Sequence, residues 1–455
     1  MGIHAWRQTQ TMTVVENFAA EDMNILNPRF NCRGNEDGIE RMEFPLMQWG
    51  FAWFYKWFGN DMTTVRILTF IISVVGAVGF YNLIRTFGQS KLVGMIGAWC
   101  FTWSPVLFYY SVNPLPDNLA LCFGIWSLVF LKKHQNQQDD GSLLWFATFL
   151  SLATAVKLPF VLFGAGYIPL FWKQIGAGDF KRTGLKLLLL LALMAPALAW
   201  YVWVIPQWGN AGIVTGVTAD SAFDLQTVLS TIWGTFHSLL PELFLNYGSV
   251  LFFVVGIVVF VRSKSSASFF KSELFILAFL ILFYVYEVNM IGLAHDYYLF
   301  PFIPLLFLIV SAGAKRIIEN EKQWIRVIGA IALIILPFTA YLRAIDRWIP
   351  MGGEEALHEH KEELRNLIPD TALVVVGNDA SRHIVLYHIN KKGWTFEQDW
   401  LLATDLKEYI QNGARYLYSN TDHVEKSPNI RQYLDEPIFD KSGIKVYPLK
   451  KSTDS

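Results

Sequence analysis

The chain has 455 residues, of which 53% are hydrophobic and only 16% charged, with a formal net charge of −1. A soluble protein carries about 25% charged residues, so these proportions exclude an ordinary water-facing domain, and the charge balance excludes a nucleic-acid footprint. The apolar residues come in long unbroken runs, mean hydropathy is +0.33, and Cys32, Cys100 and Cys122 are too scattered for a disulfide framework or a metal spacing. The chain reads as a polytopic α-helical membrane protein.

The first segment, HAWRQTQT, is polar in a mostly apolar chain. As a helix it places His4, Arg7, Gln8 and Thr11 at i, i+3, i+4 and i+7 on one face. Such a face suits a polar or anionic ligand; a solvated tail helix is the competing reading. Next comes MEFPLMQWGFAWFYKWFG, residues 42–59. Glu43 sits at a helix entrance with Pro45 just inside it, and seven aromatic residues crowd around Lys56. That pattern predicts a helix lying in the membrane interface. Glu43 either complements the helix dipole or takes part in chemistry.

Apolar spans follow at 65–84, 91–110, 118–131, 143–156, 158–172, 185–205, 247–261, 273–292, 297–311 and 325–342. Alternate linkers are basic: Arg85 and Lys91; Lys132 and Lys133; Lys173, Lys181, Arg182 and Lys186; Arg262, Lys264 and Lys271; Lys315, Arg316, Lys322 and Arg326. The positive-inside rule puts this set in the cytoplasm, leaving 1–62, 111–117, 206–246, 293–296 and 343–455 outside. The cytoplasmic linkers are too short for a nucleotide site, and neither GxxxxGK[ST] nor GxGxxG occurs. An energised substrate must then arrive within the membrane. Residues 1–62 fall outside with no span ahead of them, which leads us to expect a further helix upstream.

Four outer-face candidates stand out. Asp117, in NPLPDNLA, opens an apolar span, where a helix N-cap and a catalytic carboxylate are both open readings. Lys157, in LATAVKLPF, divides two apolar halves of 14 or 15 residues, short of the roughly 20 needed to cross. It is therefore expected at the outer tip of a tight hairpin, below the surface. An ammonium at such depth marks a functional site unless it snorkels to the headgroups, and a lipid phosphate is its natural partner. In GLAHDYYLFPFIP, His295, Asp296, Tyr297 and Tyr298 occupy a very short loop, where an interfacial anchor explains one tyrosine but not the His–Asp pair. In the 206–246 loop, FDLQTVLSTIWGTFHSLLPELF reads as a surface helix capped by Asp224, with His237 incidental.

From about Gly352 the composition becomes that of a soluble domain. EEALHEHKEELRNLI predicts an amphipathic helix, ALVVVGN a buried strand, 402–413 a helix, RYLYS a strand, and 436–448 further strands, together a small α/β domain. His358 and His360, two apart on a helix, do not face each other, so no metal site is expected there.

HAWRQTQT, EFPLMQW, PDNLAL, AVKLP and HDYYLFPFIP, in that order, resemble the bacterial GT-C glycosyltransferases, in the protein-mannosyltransferase-like, family 39-like branch that includes the lipid A aminoarabinose transferases. The resemblance covers about residues 1–345. Taken with the spans and charges above, the chain is expected to divide into a first outer loop with interfacial helices at 1–62, a GT-C-like membrane domain of about ten transmembrane helices at 63–345, and an extracytoplasmic α/β domain at 346–455. The resemblance implies transfer of a sugar from a polyprenyl-phosphate donor to a glycan, lipid or protein acceptor on the outer face of the bacterial plasma membrane. Relatives have a helix before the first outer loop and an acidic residue ahead of the His-x-Trp-Arg-Gln segment; here only Met1, Gly2 and Ile3 precede His4. Asp117 and Glu43 are therefore the candidate bases. Lys157 and Arg7 are expected to hold the phosphate, and His4, Gln8, His295, Asp296 and Tyr298 to bind sugar or acceptor. These residues specify no cofactor, and a divalent metal remains compatible with them. A flippase of lipid-linked sugars and a non-catalytic scaffold for glycan assembly are the rival readings; a transporter is expected to show internal repeats and helices broken at midplane.

Overall fold

The computed structural model describes residues 2–208, 225–262, 270–288, 291, 295–350, 354–397 and 400–450. Asp224, expected as a cap, lies outside the described residues. The chain divides into two compact units, one of Met42–Met47 with Val65–Ile345 and one of Met1–Arg41, Gln48–Thr64 and Asp346–Ser455.

The first unit is helical. Among the described residues, Met62–Thr86, Phe180–Trp208, Asp296–Ile318 and Gln323–Trp348 are each long and apolar enough to cross a membrane; Leu225–Leu245 and Tyr247–Arg262, bent by 114° at their junction, form a fifth if counted as one span. Lys91–Thr102 and Asp140–Val156 are shorter apolar helices. About ten spans were expected, and several of those are interrupted by proline. The 91–110 run stops at Thr102 and resumes at Pro105. Proline lacks the N–H that continues a helix and its ring collides with the carbonyl four residues back, but it is well placed at a first turn. The 158–172 run becomes a 3-10 segment, Leu158–Tyr167, followed by the α-helix Ile168–Gly176. Likewise 297–311 begins as the 3-10 segment Asp296–Phe302 and becomes α-helical at Ile303.

Large apolar side chains such as Phe70, Val202, Val261, Ile334 and Phe338 point outward, while Asp117, Lys157 and Asp296 are buried. This is the arrangement of a protein whose solvent is lipid. Helices pack closely where side chains are small: a Cβ on Gly313 would lie 1.8 Å from the Phe252 carbonyl oxygen and one on Gly256 2.0 Å from that of Ile309, so Tyr247–Arg262 and Ile303–Ile318 meet backbone to backbone. The 114° bend is pinned by buried Asn246, whose Nδ2 donates to the Trp103 and Leu336 carbonyls at 2.9 and 3.0 Å.

The second unit joins the start of the chain to its end. Its sheet has the order β2-β1-β3-β5-β4, with β1 Leu373–Val376, β2 Lys392–Thr395, β3 Ala414–Ser419, β4 Phe439–Lys441 and β5 Ile444–Pro448. β1 pairs parallel with β2 and β3, and β5 pairs antiparallel with β3 and β4. The expected 354–368 helix is present in two pieces, Glu354–Glu359 and Lys361–Asn366. The edge strand β2 is bridged by the N-terminal segment, Cys32 pairing with Gly393 and the Gly393 N–H donating to the Asn31 carbonyl at 3.0 Å. The helix Ala5–Ala20 packs on the helix Ile384–Ile389.

Candidate active site

The site begins with a missing donor. In the helix Asp140–Val156, the Ala155 carbonyl would bond the N–H of residue 159, but that residue is Pro159, which has none. The helix ends at Val156, and Lys157 adopts an extended conformation with φ −152° and ψ 110°. The vacated Ala155 carbonyl instead accepts from the Phe44 N–H at 3.0 Å and from the Tyr201 hydroxyl at 3.0 Å. Trp200 Nε1 donates to the Met42 carbonyl at 3.0 Å, and the Phe44 ring packs edge-on against Trp200 with centroids 5.0 Å apart. Residues 42–44 are thus stitched to the end of the Lys157 helix, which sets Glu43 beside the ammonium: Lys157 Nζ donates to Glu43 Oε1 at 2.9 Å. The following helix begins at Leu46, so Glu43 and Pro45 stand ahead of it, and Glu43 serves the lysine rather than a helix dipole.

Asp117 comes from another direction. The helix Pro116–Gln137 has Leu115 at its N-cap and Pro116 in its first turn, so Asp117 is not the cap. Its carboxylate, in the first turn where the helix dipole favours negative charge, lies 3.4 Å from Lys157 Nζ through Oδ1. The loop before it is fixed by Asn118, whose Nδ2 donates to the Tyr110 carbonyl at 2.7 Å, and by Asn113, whose Nδ2 donates to that of Tyr109 at 2.7 Å. Only 9% of the Lys157 side chain and 1% of that of Asp117 are exposed.

The third arm is the 3-10 segment Asp296–Phe302. Lys157 Nζ lies 5.5 and 5.0 Å from the ring centroids of Tyr297 and Tyr298, in cation–π range. His295 stacks edge-on against both, at 5.7 Å each. Asp296 turns the other way and accepts from the buried Tyr110 hydroxyl at 3.0 Å. Glu43, Asp117, Lys157, His295, Asp296 and Tyr298 therefore belong to one neighbourhood. Tyr297, named in the sequence only as one of the loop's tyrosine pair, and Tyr110, which the sequence did not single out, help build it. Tyr110 is camouflaged among neighbouring aromatics, and only its buried hydroxyl marks it.

His4, Arg7 and Gln8 lie in the other unit. The helix expected for this stretch runs Ala5–Ala20, and Arg7, Gln8 and Thr11 on it are buried, unlike the residues of a solvated tail. Arg7 donates to Gln10 Oε1, and Gln8 Nε2 donates to the Ile3 carbonyl at 3.1 Å. Gln10 Nε2 lies 3.4 Å from His383 Nε2. Burial, with the charges of Arg382 and Arg7, pushes the His383 imidazole down to about 3, so it is neutral at ordinary pH. Among the described residues, no group of three or more His, Cys, Asp and Glu is placed to hold a metal ion.

Residues 43–203, which contain Glu43, Asp117 and Lys157, match the family model of dolichyl-phosphate-mannose-protein mannosyltransferase. Among solved structures, the fold is similar to ArnT from Cupriavidus metallidurans in the apo state, with TM-score 0.66 and 12% identity over 97% of this chain and 93% of that one. It is similar to the same protein bound to undecaprenyl phosphate, with TM-score 0.65 and 12% identity over 97% and 93%. It is also similar to the Archaeoglobus fulgidus oligosaccharyltransferase in the apo form, with TM-score 0.57 and 12% identity over 92% of this chain and 66% of that one. No curated protein sequence matches the chain. The chain has the fold of the GT-C membrane glycosyltransferases.

Proposed function

We propose that this protein transfers a sugar from a polyprenyl-phosphate donor to a hydroxyl of a glycan, lipid or protein acceptor, with inversion, at the outer face of the plasma membrane. The observation that carries the reading is the buried Lys157, held between Glu43 and Asp117 and beneath Tyr297 and Tyr298, in a fold shared with a protein solved bound to undecaprenyl phosphate. A buried ammonium is costly unless paired, and the pairing here leaves it exchangeable: a phosphate oxygen can replace one carboxylate as partner.

That exchange organises the reaction. Donor phosphate draws Lys157 away from Asp117, the longer of its two contacts, and Asp117 becomes available to accept the proton of the acceptor hydroxyl. The acceptor oxygen attacks the anomeric carbon, the bond from that carbon to the phosphate oxygen breaks, and polyprenyl phosphate departs with its charge held by Lys157. Glu43 keeps the lysine in place. His295 and Tyr298 orient sugar or acceptor, with Asp296 anchored by Tyr110. The isoprenoid tail needs an apolar berth. A cavity of about 640 Å³ lined by Phe70, Met95, Trp99, Leu121 and Ile125 extends to Asn118, next to Asp117, and supports this role.

The test is Lys157→Ala, assayed for sugar transfer in membranes of the host organism. Loss of nearly all transfer by a variant that still folds supports the reading; near-normal transfer overturns it.

A further inference from the structure

One carboxylate of the bundle has no part in the arrangement above. Glu287 follows the helix Lys271–Tyr286 and is 6% exposed. Among the described residues its Oε2 is buried and has no hydrogen-bond partner. The helix packs on both segments that build the site, Leu158–Tyr167 and Asp296–Phe302. Its orientation is fixed by Gly166, where a Cβ would come within 2.9 Å of Ile276. The far end of the Leu158–Tyr167 segment thus meets the first half of the helix, and Glu287, at the helix's other end, lies at the Lys157 end. Lys157 is the charged side chain that acts on it.

A buried carboxylate oxygen without a donor is expensive, and acids within apolar spans mark functional positions. The position also sets what the donor must be. A phosphate brought to Lys157 comes close to the Glu287 carboxyl, and a bare polyprenyl phosphate, a monoester with more negative charge than the glycosylated diester, is the less welcome of the two beside it. A sugar attached to that phosphate instead brings several hydroxyl groups, each able to donate to Oε2. We propose that Glu287 is a carbohydrate-binding residue of the Lys157 site, accepting a hydrogen bond from a hydroxyl of the sugar carried by the lipid donor. It thereby favours the glycosylated lipid over the bare polyprenyl phosphate left after transfer, and so assists product release. This inference rests on the donor reading given above.

The experiment compares two probes on the full chain in lipid nanodiscs: undecaprenyl phosphate, and a mixture of undecaprenyl-phosphate hexoses, each titrated against wild type, Glu287→Gln and Glu287→Leu. Wild type is expected to prefer the glycosylated lipid. Both variants are expected to lose about tenfold or more of that preference, the scale of one hydrogen bond to a charged group, and to bind bare undecaprenyl phosphate at least as tightly as wild type does. Their melting temperatures should not fall, since the oxygen they replace is unpartnered. An unchanged preference in both variants overturns the inference, as does a fall in melting temperature with the preference intact, which would make Glu287 structural. Wild type that binds both lipids equally also overturns it while sparing the donor reading. If wild type binds neither, the donor reading fails and the inference falls with it.

Discussion

The two units differ in what they leave outside. In the helical bundle, Ile334 and Phe338 are exposed while Lys157, Asp117 and Asp296 are inside. In the sheet unit the core is built from residues such as Leu364, Val374, Val376, Leu386, Leu417 and Val446, all fully buried, and ion pairs such as Lys426–Asp422 and Arg431–Glu436 lie at the surface. The difference follows from solvent. In water, apolar burial drives folding and a surface ion pair contributes little. In lipid there is nothing to gain from hiding a leucine, and a charge must find its partner within the protein. A charged residue therefore carries more information in the first unit than in the second.

Breaking the Lys157 cluster should have the largest effect. In Lys157→Ala we expect transfer to fall at least 10³-fold, by loss of the cation that holds the leaving phosphate, measured as initial rate in membranes with expression matched by immunoblot. Next come the two carboxylates. Asp117→Asn should lower the rate by about 10²–10⁴, the range for a general base, whereas Glu43→Gln, which removes a positioning partner, should cost about tenfold; the reverse order would exchange their roles. Tyr201→Phe is milder. It removes one of two donors to the Ala155 carbonyl, so about 1 kcal/mol of stability should be lost, with a modest fall in rate, read by thermal melting and initial rate.

The last effect belongs to the other unit and to pH, and is read in stability rather than in rate. His388 is 1% exposed, with neither ring nitrogen hydrogen-bonded among the described residues, and burial, followed by the charges of His358, Lys361 and Arg365 among others, holds its proton affinity well below the usual range. The unfolded chain takes up a proton at this imidazole near pH 6.5 while the folded chain does not. Stability is therefore full above that pH and falls as pH drops below it, by about 1.4 kcal/mol per pH unit for each such group. His383 acts in the same direction. Glu354, pushed up to about 7 by burial, acts oppositely, since its folded carboxyl binds a proton between pH 4.5 and 7 that the unfolded chain releases. His388→Phe isolates the first contribution: the difference in melting temperature between pH 7 and pH 5 should shrink, and an unchanged difference would show that His388 does not contribute.

The same contrast explains what the sequence revealed. Lys157, Asp117 and Glu43 were visible because each is a charge in an apolar setting, a conflict that needs a function or a partner. Their mutual pairing was not visible, since a carbonyl released by Pro159 brings position 43 to 157 and the loop held by Asn113 and Asn118 brings 117. The proline-broken spans misled the hydropathy reading for a related reason: apolar runs report composition, and Pro105 and Pro159 divide them without changing it. Glu287 went unremarked because a single acid near a span's end looks like any loop residue until its burial is known. In the sheet unit, β1 and β3 were legible from LVVV and YLYS, but KGWT of β2 was not, because an edge strand held by residues 31–34 needs little apolar pattern of its own. The HAWRQTQT segment was legible as helical, but His4 stands ahead of the helix as a left-handed N-cap, and Thr9, Gln10 and Thr13 are buried along with Arg7, Gln8 and Thr11, so burial is not confined to one face. The packing of this helix against Ile384–Ile389 joins segments almost 380 residues apart.

The most direct test of the central claim is native mass spectrometry of wild type and Lys157→Ala, each titrated with undecaprenyl phosphate under matched conditions. A saturable one-to-one adduct on wild type that is lost or weakened at least tenfold in the variant is the predicted result. Equal adducts on both proteins would contradict it, because the phosphate would then be held somewhere other than at Lys157.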